Sequence, residues 1–350
     1  MKGELRVAII GTGGMAASHA LGFKAIEGLK ITACCDIDGN RAKDFAERFA
    51  VPKVYTDYAA LLKEEKLDGV SVVTVDSTHA PISIAALKRG IHVLCEKPMA
   101  TGVAEAEEMH AVAKASGLVN MVHFSKRNSR GLAAARAMID RGALGRILHV
   151  DASYLQSWLS TKCWGDWATE SAWQWRLSTR HGSAGCLGDI GCHIYDMAGY
   201  LAGDIAEISC TLRTFDKGIP GNRVGDYVFD ANDGFVSTVS FAGGAIGTVQ
   251  ASRWATGHPN REYIGVYGDK GAVEVDFEKG DQRLRYTEGA GNEWNDVVAP
   301  PAPKLWERFA AAMRKGAGDE CDFANGLKVQ RYLEASFESD RVRAPVAIRR

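Results

Sequence analysis

Six residues, Gly11-Thr12-Gly13-Gly14-Met15-Ala16, stand between the apolar run Leu5 to Ile10 and a helical pattern over 14–27. A strand that turns sharply into a helix needs three things there: a residue that tolerates positive φ, a bare backbone where a ligand approaches, and a small side chain where helix meets strand. Gly11, Gly13 and Ala16 supply them in that order. The same texture repeats along the first third of the chain. Short apolar runs at 5–10, 30–36, 69–75, 91–95 and 118–124 alternate with amphipathic stretches at 14–27, 39–49, 57–65, 79–89 and 103–116. Gly28, Gly90 and Gly117 fall where helices end in a left-handed residue. Such alternation predicts βαβ units and a doubly wound parallel sheet, a Rossmann domain over 1–124 within an α/β protein.

In that context the glycine-rich turn is a dinucleotide fingerprint, because the helix that follows offers unpaired N–H groups to a pyrophosphate. Asp36 ends the second apolar run, 20 residues beyond Ala16, where a carboxylate accepts both ribose hydroxyls and repels a 2′-phosphate. The next four residues, Ile37, Asp38, Gly39 and Asn40, include no arginine, so NAD is expected over NADP.

After a helical stretch at 129–141 the pattern changes to longer alternating runs at 146–155, 205–215, 224–230, 235–241, 245–253 and 263–267, interrupted by a helical island near 189–202. These predict a second α+β domain over 125–350, built on an open, mainly antiparallel sheet. Its tail is read as helical over 304–339, with a short strand at 344–348.

Two stretches carry chemistry. Glu96-Lys97-Pro98 emerges at the carboxyl end of the run Ile91 to Cys95, where open α/β sheets bind ligands, although a solvated loop would read the same way. The second runs from Gly185 to Asp196; on a helix its Asp189 and His193 lie four residues apart and share a face. A carboxylate so placed orients an imidazole for general base work, whereas a lone helical histidine is commonly a core residue.

Four segments together resemble the Gfo/Idh/MocA oxidoreductases, the glucose-fructose oxidoreductase and inositol dehydrogenase family. They are 11–16 with Asp36; Thr74-Val75-Asp76-Ser77-Thr78-His79; Cys95 to Ala100; and Gly185 to Asp196, similar to the family's G-x-x-x-D-x-G-x-H-x-x-D. The resemblance implies an NAD-dependent dehydrogenase that moves hydride between nicotinamide and a hydroxyl carbon of a sugar, polyol or inositol. It further implies that His193 takes the hydroxyl proton, that Lys97 hydrogen-bonds the same oxygen, and that Asp189 holds His193 or a neighbouring hydroxyl. Glu96 is implied near the nicotinamide ribose, with Thr74 and His79 along the cofactor cleft. Val75 and Asp76 depart from the family's T-P-N-x-x-H, which leaves the role of Asp76 open.

Trp158, Trp164, Trp167, Trp173 and Trp175 crowd one segment, as a sugar-stacking wall or as core or interface packing. Trp175-Arg176, Arg127 and Asn128 are substrate-binding candidates; Arg180 and His181 fit a solvated loop as well. An NAD-dependent glycosidase that oxidises its sugar transiently carries the same motifs, and a silent nucleotide-binding regulator is a third reading, disfavoured by the intact Lys97, Asp189 and His193. Lys plus Arg (42) nearly balances Asp plus Glu (43), with no basic stripe, which argues against nucleic acid. The eight cysteines include no C-x-x-C pair, so buried thiols in a reducing compartment are expected, not a metal site. With no signal peptide and no run of ~18 apolar residues, a cytoplasmic enzyme free of membrane is expected, as a homodimer or homotetramer paired through the open sheet.

Overall fold

The computed structural model describes residues 4–279, 283–289 and 293–349. The chain forms two compact units, Met1–Ser125 with Pro303–Gln330, and Lys126–Ala302 with Arg331–Arg350.

In the first unit, β1 (Leu5–Ile10), β2 (Leu29–Cys35), β3 (Val54–Tyr55), β4 (Gly69–Val72), β5 (His92–Cys95) and β6 (Asn120–Val122) form a parallel sheet in the order β3-β2-β1-β4-β5-β6. Helices α1 (Ala16–Lys24), α2 (Gly39–Phe49), α3 (Tyr58–Glu64), α4 (His79–Lys88) and α5 (Val103–Ser116) connect the strands. Val7, Ala8 and Ile9 on β1 are wholly buried, as is usual where both faces of a parallel sheet are covered. Strand order reverses between β1 and β4, and ligands of such sheets bind at the carboxyl ends beside that switch point. The two-residue β3, too short to show periodicity, was not anticipated; it pairs with Cys34 and Cys35.

The tail departs from the sequence-based division at 124/125. Its predicted helix is two, α10 (Leu305–Lys315) and α11 (Phe323–Val342), and residues 303–330 belong to the first unit. The contact rests on glycines: a β-carbon on Gly22 would lie 2.4 Å from the Trp306 indole, and one on Gly69 would lie 2.9 Å from Met313 Sδ and 3.2 Å from the Phe309 ring.

The second unit opens with α6 (Arg130–Asp140), capped by the Ser129 hydroxyl, which accepts from Leu132 N–H. Strand β7 (Ile147–Leu155) follows, then the one-turn helices α7 (Trp158–Thr161) and α8 (Ser171–Gln174), α9 (Cys192–Ala202) and β8 (Ile205–Arg213). Where a strand was expected over 224–230, two-residue strands β9 (Arg223–Val224) and β10 (Tyr227–Val228) fold back at Gly225, whose φ is +54°. Further on lie β11 (Gly234–Phe241), β12 (Ile246–Ser252), β13 (Arg261–Gly268), β14 (Gly271–Asp276), β15 (Arg283–Glu288), β16 (Asn295–Val298) and, at the chain end, β17 (Val346–Ala347). Nine strands form an open sheet in the order β16-β15-β14-β13-β7-β12-β11-β8-β17, antiparallel except between β12 and β7. Strands β14 to β16 escaped sequence reading; β15 and β16 are charged and partly exposed and lack the apolar alternation that marks a half-buried strand.

Candidate functional site

In the first unit, Gly11 has φ +92°, and a β-carbon there would lie 2.3 Å from the Val73 carbonyl oxygen, so the turn into α1 excludes every other residue. Gly13 and Gly14 face open space, with nothing within 4 Å of an added β-carbon, while Ala16 is wholly buried where α1 meets the sheet. Met15, half exposed at the start of α1, provides no side-chain cap. Asp36 ends β2 with its carboxylate aimed at this turn: Oδ2 accepts from Thr12 N–H at 2.8 Å and from the Thr12 hydroxyl at 3.0 Å, and Oδ1 accepts from Asp38 N–H at 3.0 Å. Burial alone would raise its pKa, but these donors and Arg41 outweigh it and hold the carboxyl below its ordinary value. A turn bare of side chains at Gly13 and Gly14, beside an acid held below its ordinary pKa, fits a dinucleotide's pyrophosphate and ribose.

Arg41 stands one residue beyond the arginine-free stretch Ile37 to Asn40. The Asp38 side chain caps α2 by accepting from Asn40 and Arg41 N–H, and the Arg41 Nη1 atom lies 3.5 Å from Asp36 Oδ1.

Thr74 follows β4, and Asp76 begins the short turn Asp76–Thr78 that leads into α4. His79 is wholly buried: Nδ1 lies 2.7 Å from the Pro98 carbonyl oxygen and Nε2 3.2 Å from that of Thr74. Only a doubly protonated ring satisfies both. Burial opposes that charge, but Cys95, Asp76 and the Pro98 carbonyl prevail and its pKa is pushed up to about 10. His79 thus ties the Thr74 loop to the loop after β5.

Glu96, expected beside a ribose, turns its carboxylate into the protein interior. Oε1 accepts from His19 Nε2 at 2.9 Å and from His123 Nδ1 at 2.7 Å, and Oε2 from Lys97 N–H at 3.1 Å. His19 Nδ1 lies 2.7 Å from Ser71 Oγ, and both imidazoles pack against Trp306 at ring separations of 5.6 and 4.9 Å. The two histidines and Glu96 are the one His/Cys/Asp/Glu group among the described residues whose geometry suits a metal ion, but their separations are those of hydrogen bonds. Neither histidine was singled out from sequence, because a histidine in an apolar helix or strand reads as core.

In the second unit, residues Leu187–Gly191 form a π-helical turn before α9, in place of the α spacing assumed for Asp189 and His193. Asp189 Oδ2 accepts from Arg253 Nη2 at 2.9 Å and lies 3.4 Å from Arg176 Nη1. Arg253, at the end of β12, is wholly buried; it also donates to the Arg176 and Gly185 carbonyls and stacks 5.3 Å from Trp158. His193 is 5% exposed on α9, its ring 6.3 Å from that of Tyr154. Burial and Glu262 hold the Tyr154 phenol protonated, its pKa well above the ordinary value.

Arg127, a substrate-binding candidate from sequence, pairs with Asp196: Nε and Nη2 form a bidentate pair at 2.6 and 2.8 Å, buried, with the guanidinium 3.6 Å from the Tyr200 ring. Asn128 precedes the Ser129 cap. Arg176 lies over the Trp175 ring at 4.7 Å as well as beside Asp189. The tryptophan segment divides. Trp158 and Trp167 are core with Leu159, Leu177 and Phe229, whereas Trp164 is exposed and stacked on Trp158. His181 stacks on Tyr227 and Arg180 is exposed.

Residues 5–124 match the family model described as the oxidoreductase family, NAD-binding Rossmann fold, and residues 132–274 match the GFO/IDH/MocA C-terminal domain. The chain is 29% identical to levoglucosan dehydrogenase of Pseudarthrobacter phenanthrenivorans over 96% of each chain. A crystal structure of an oxidoreductase domain protein from Kribbella flavida, 31% identical, superposes with a TM-score of 0.89 over 100% of both chains. Levoglucosan dehydrogenase in complex with NADH and levoglucosan, 27% identical, does so with a TM-score of 0.89 over 99% of this chain and 100% of that one. With both halves matched and the likeness running end to end, the chain belongs to the Gfo/Idh/MocA oxidoreductase family.

Proposed function

We propose that the protein is an NAD-dependent dehydrogenase acting on a hydroxyl carbon of a sugar, polyol or inositol. The observation that carries this reading is the ionised Asp36 bonded to Thr12 within the open Gly11–Ala16 turn, in a chain similar from end to end to a sugar dehydrogenase. Gly11, Thr12, Gly13, Gly14, Met15 and Ala16 would hold the pyrophosphate, Asp36 the adenosine ribose, and Thr74 and the loop braced by His79 the cleft wall. The bound dinucleotide supplies the hydride acceptor.

His193 takes the proton from the hydroxyl as its carbon loses hydride, and Lys97 hydrogen-bonds the same oxygen and offsets its growing negative charge. Asp189, fixed by Arg253 and Arg176, positions the substrate or His193, and Trp175 and Arg176 contact the sugar. The reading places the enzyme in the cytoplasm as a homodimer or homotetramer. Exposed Val236 and Ile246 share one sheet face on neighbouring strands β11 and β12 and suit burial against a second copy.

The test is a panel of free sugars, inositols and anhydrosugars screened with NAD by NADH absorbance, beside Lys97→Ala and His193→Ala. At least one substrate should yield stoichiometric NADH. Each variant should lose about 100-fold or more in kcat while still binding NAD. Normal turnover in either variant removes it from the mechanism, and glycoside cleavage without net NADH would replace the dehydrogenase by a hydrolase.

A further inference from the structure

Glu96 is almost wholly buried, yet three N–H groups converge on its carboxylate, from His19, His123 and the Lys97 backbone. Donors on α1, after β5 and after β6 hold it from three sides. For both short contacts to be hydrogen bonds, His19 must carry its proton on Nε2 and His123 on Nδ1. The other nitrogens are then bare. That of His19 accepts from Ser71, and that of His123 has no hydrogen-bond partner among the described residues, so a second proton there would bury an unsatisfied N–H. Burial also keeps the His19 pKa below its ordinary value, against the pull of the Glu96 carboxylate. Two neutral imidazoles and one carboxylate leave a net charge of −1 on this cluster.

Topology says what that charge faces. Asp36, at the end of β2, suits the adenosine ribose, and the Gly11–Ala16 turn suits the pyrophosphate. The other half of a dinucleotide then extends across the switch point, over the carboxyl ends of β4 and β5, where Glu96 stands. Oxidised and reduced nicotinamide differ by one unit of positive charge.

We propose that the His19–Glu96–His123 cluster is a fixed anion that favours the cationic ring of NAD over the neutral ring of NADH, biasing the bound cofactor toward its oxidised form. It rests on the cofactor assignment and is independent of the sugar and of the roles of Lys97 and His193. Because the anion is pre-formed and buried, its field is little screened by salt.

The test measures the Kd of NAD and of NADH separately, without sugar, for the native protein, Glu96→Gln and Glu96→Asp. Removing the charge should lower the preference for NAD, expressed as Kd(NADH)/Kd(NAD), by about five- to tenfold, almost entirely through weaker NAD binding. Glu96→Asp keeps the charge and should hold the ratio within about twofold, whatever it does to both affinities. Should Glu96→Gln fail to fold, Glu96→Met with His123→Leu, which replaces the ion and one donor by apolar groups of similar length, takes its place with the same expectation. Parallel changes in both affinities, or none, would overturn the proposal. Failure to find a sugar substrate would not touch it.

Discussion

Asp36 and Arg41 set the reach of each other's charge. The carboxylate is ionised and oriented by Thr12 and Asp38, and the half-exposed guanidinium leans on it from the first turn of α2. Asp36→Ala should weaken NAD binding about tenfold and, by releasing Arg41, improve binding of NADP. Adding Arg41→Ala should abolish the gain for NADP without restoring NAD, a pattern titration with the two cofactors reads directly. His79 makes a different kind of prediction. Its pKa rises from 6.5 to about 10 on folding, so the stability it contributes is fully present below pH 6.5 and is lost as pH climbs through about 10. Thermal midpoints of the native protein should fall over that window. In His79→Gln, destabilised by about 1–3 kcal/mol at pH 6.5, that part of the decline should vanish; a variant that tracks the native pH curve would show that the ring is neutral.

At the scale of elements, the π turn and the end of β12 cooperate. The turn widens the backbone where Asp189 leaves it, and buried Arg253 reaches the carboxylate with a planar fork that also holds two carbonyls. Arg253→Lys preserves charge but offers a point donor. We expect kcat to fall about tenfold while NAD affinity holds; unchanged kcat would mean that Asp189 is placed by other means. The same elements show what a sequence discloses. The Gly11–Ala16 turn was legible because backbone sterics over a few residues demand it, and Asp36 because one helix and one strand fix its distance from that turn. The helical island that carries Asp189 and His193 was legible, though not its π turn, since periodicity cannot distinguish one inserted residue from a regular helix. Arg253 lies 64 residues beyond Asp189, and His19 lies 77 residues before Glu96. Such partners are set by how strands are ordered in a sheet, which a local pattern does not carry. The acid that Arg127 pairs with was hidden for the same reason, being 69 residues away.

For the whole molecule, the consequential event is the return of residues 303–330 to the first unit. Helix α10 buries Leu305, Phe309 and Ala310, and Phe309 lies against the bare backbone of Gly69 on β4 and 6.4 Å from the Phe23 ring on α1. Strand β4 lies beside the switch point, and α1 begins at the fingerprint turn, so the distant tail braces the two elements expected to receive the dinucleotide. A Phe309→Ala cavity should cost about 3–5 kcal/mol, a large fraction of the stability of one domain. Because bound ligand stabilises the folded form in proportion to RT ln(1 + [L]/Kd), saturating NAD should recover part of the lost thermal midpoint. The variant should unfold near β4 and α1 first, read as faster amide exchange over 16–24 and 69–72, with the β7–β13 pairing of the second unit unaffected. Equal loss of protection in both units would show that the chain unfolds as one body, and that the tail braces the fold as a whole in place of the nucleotide-binding half.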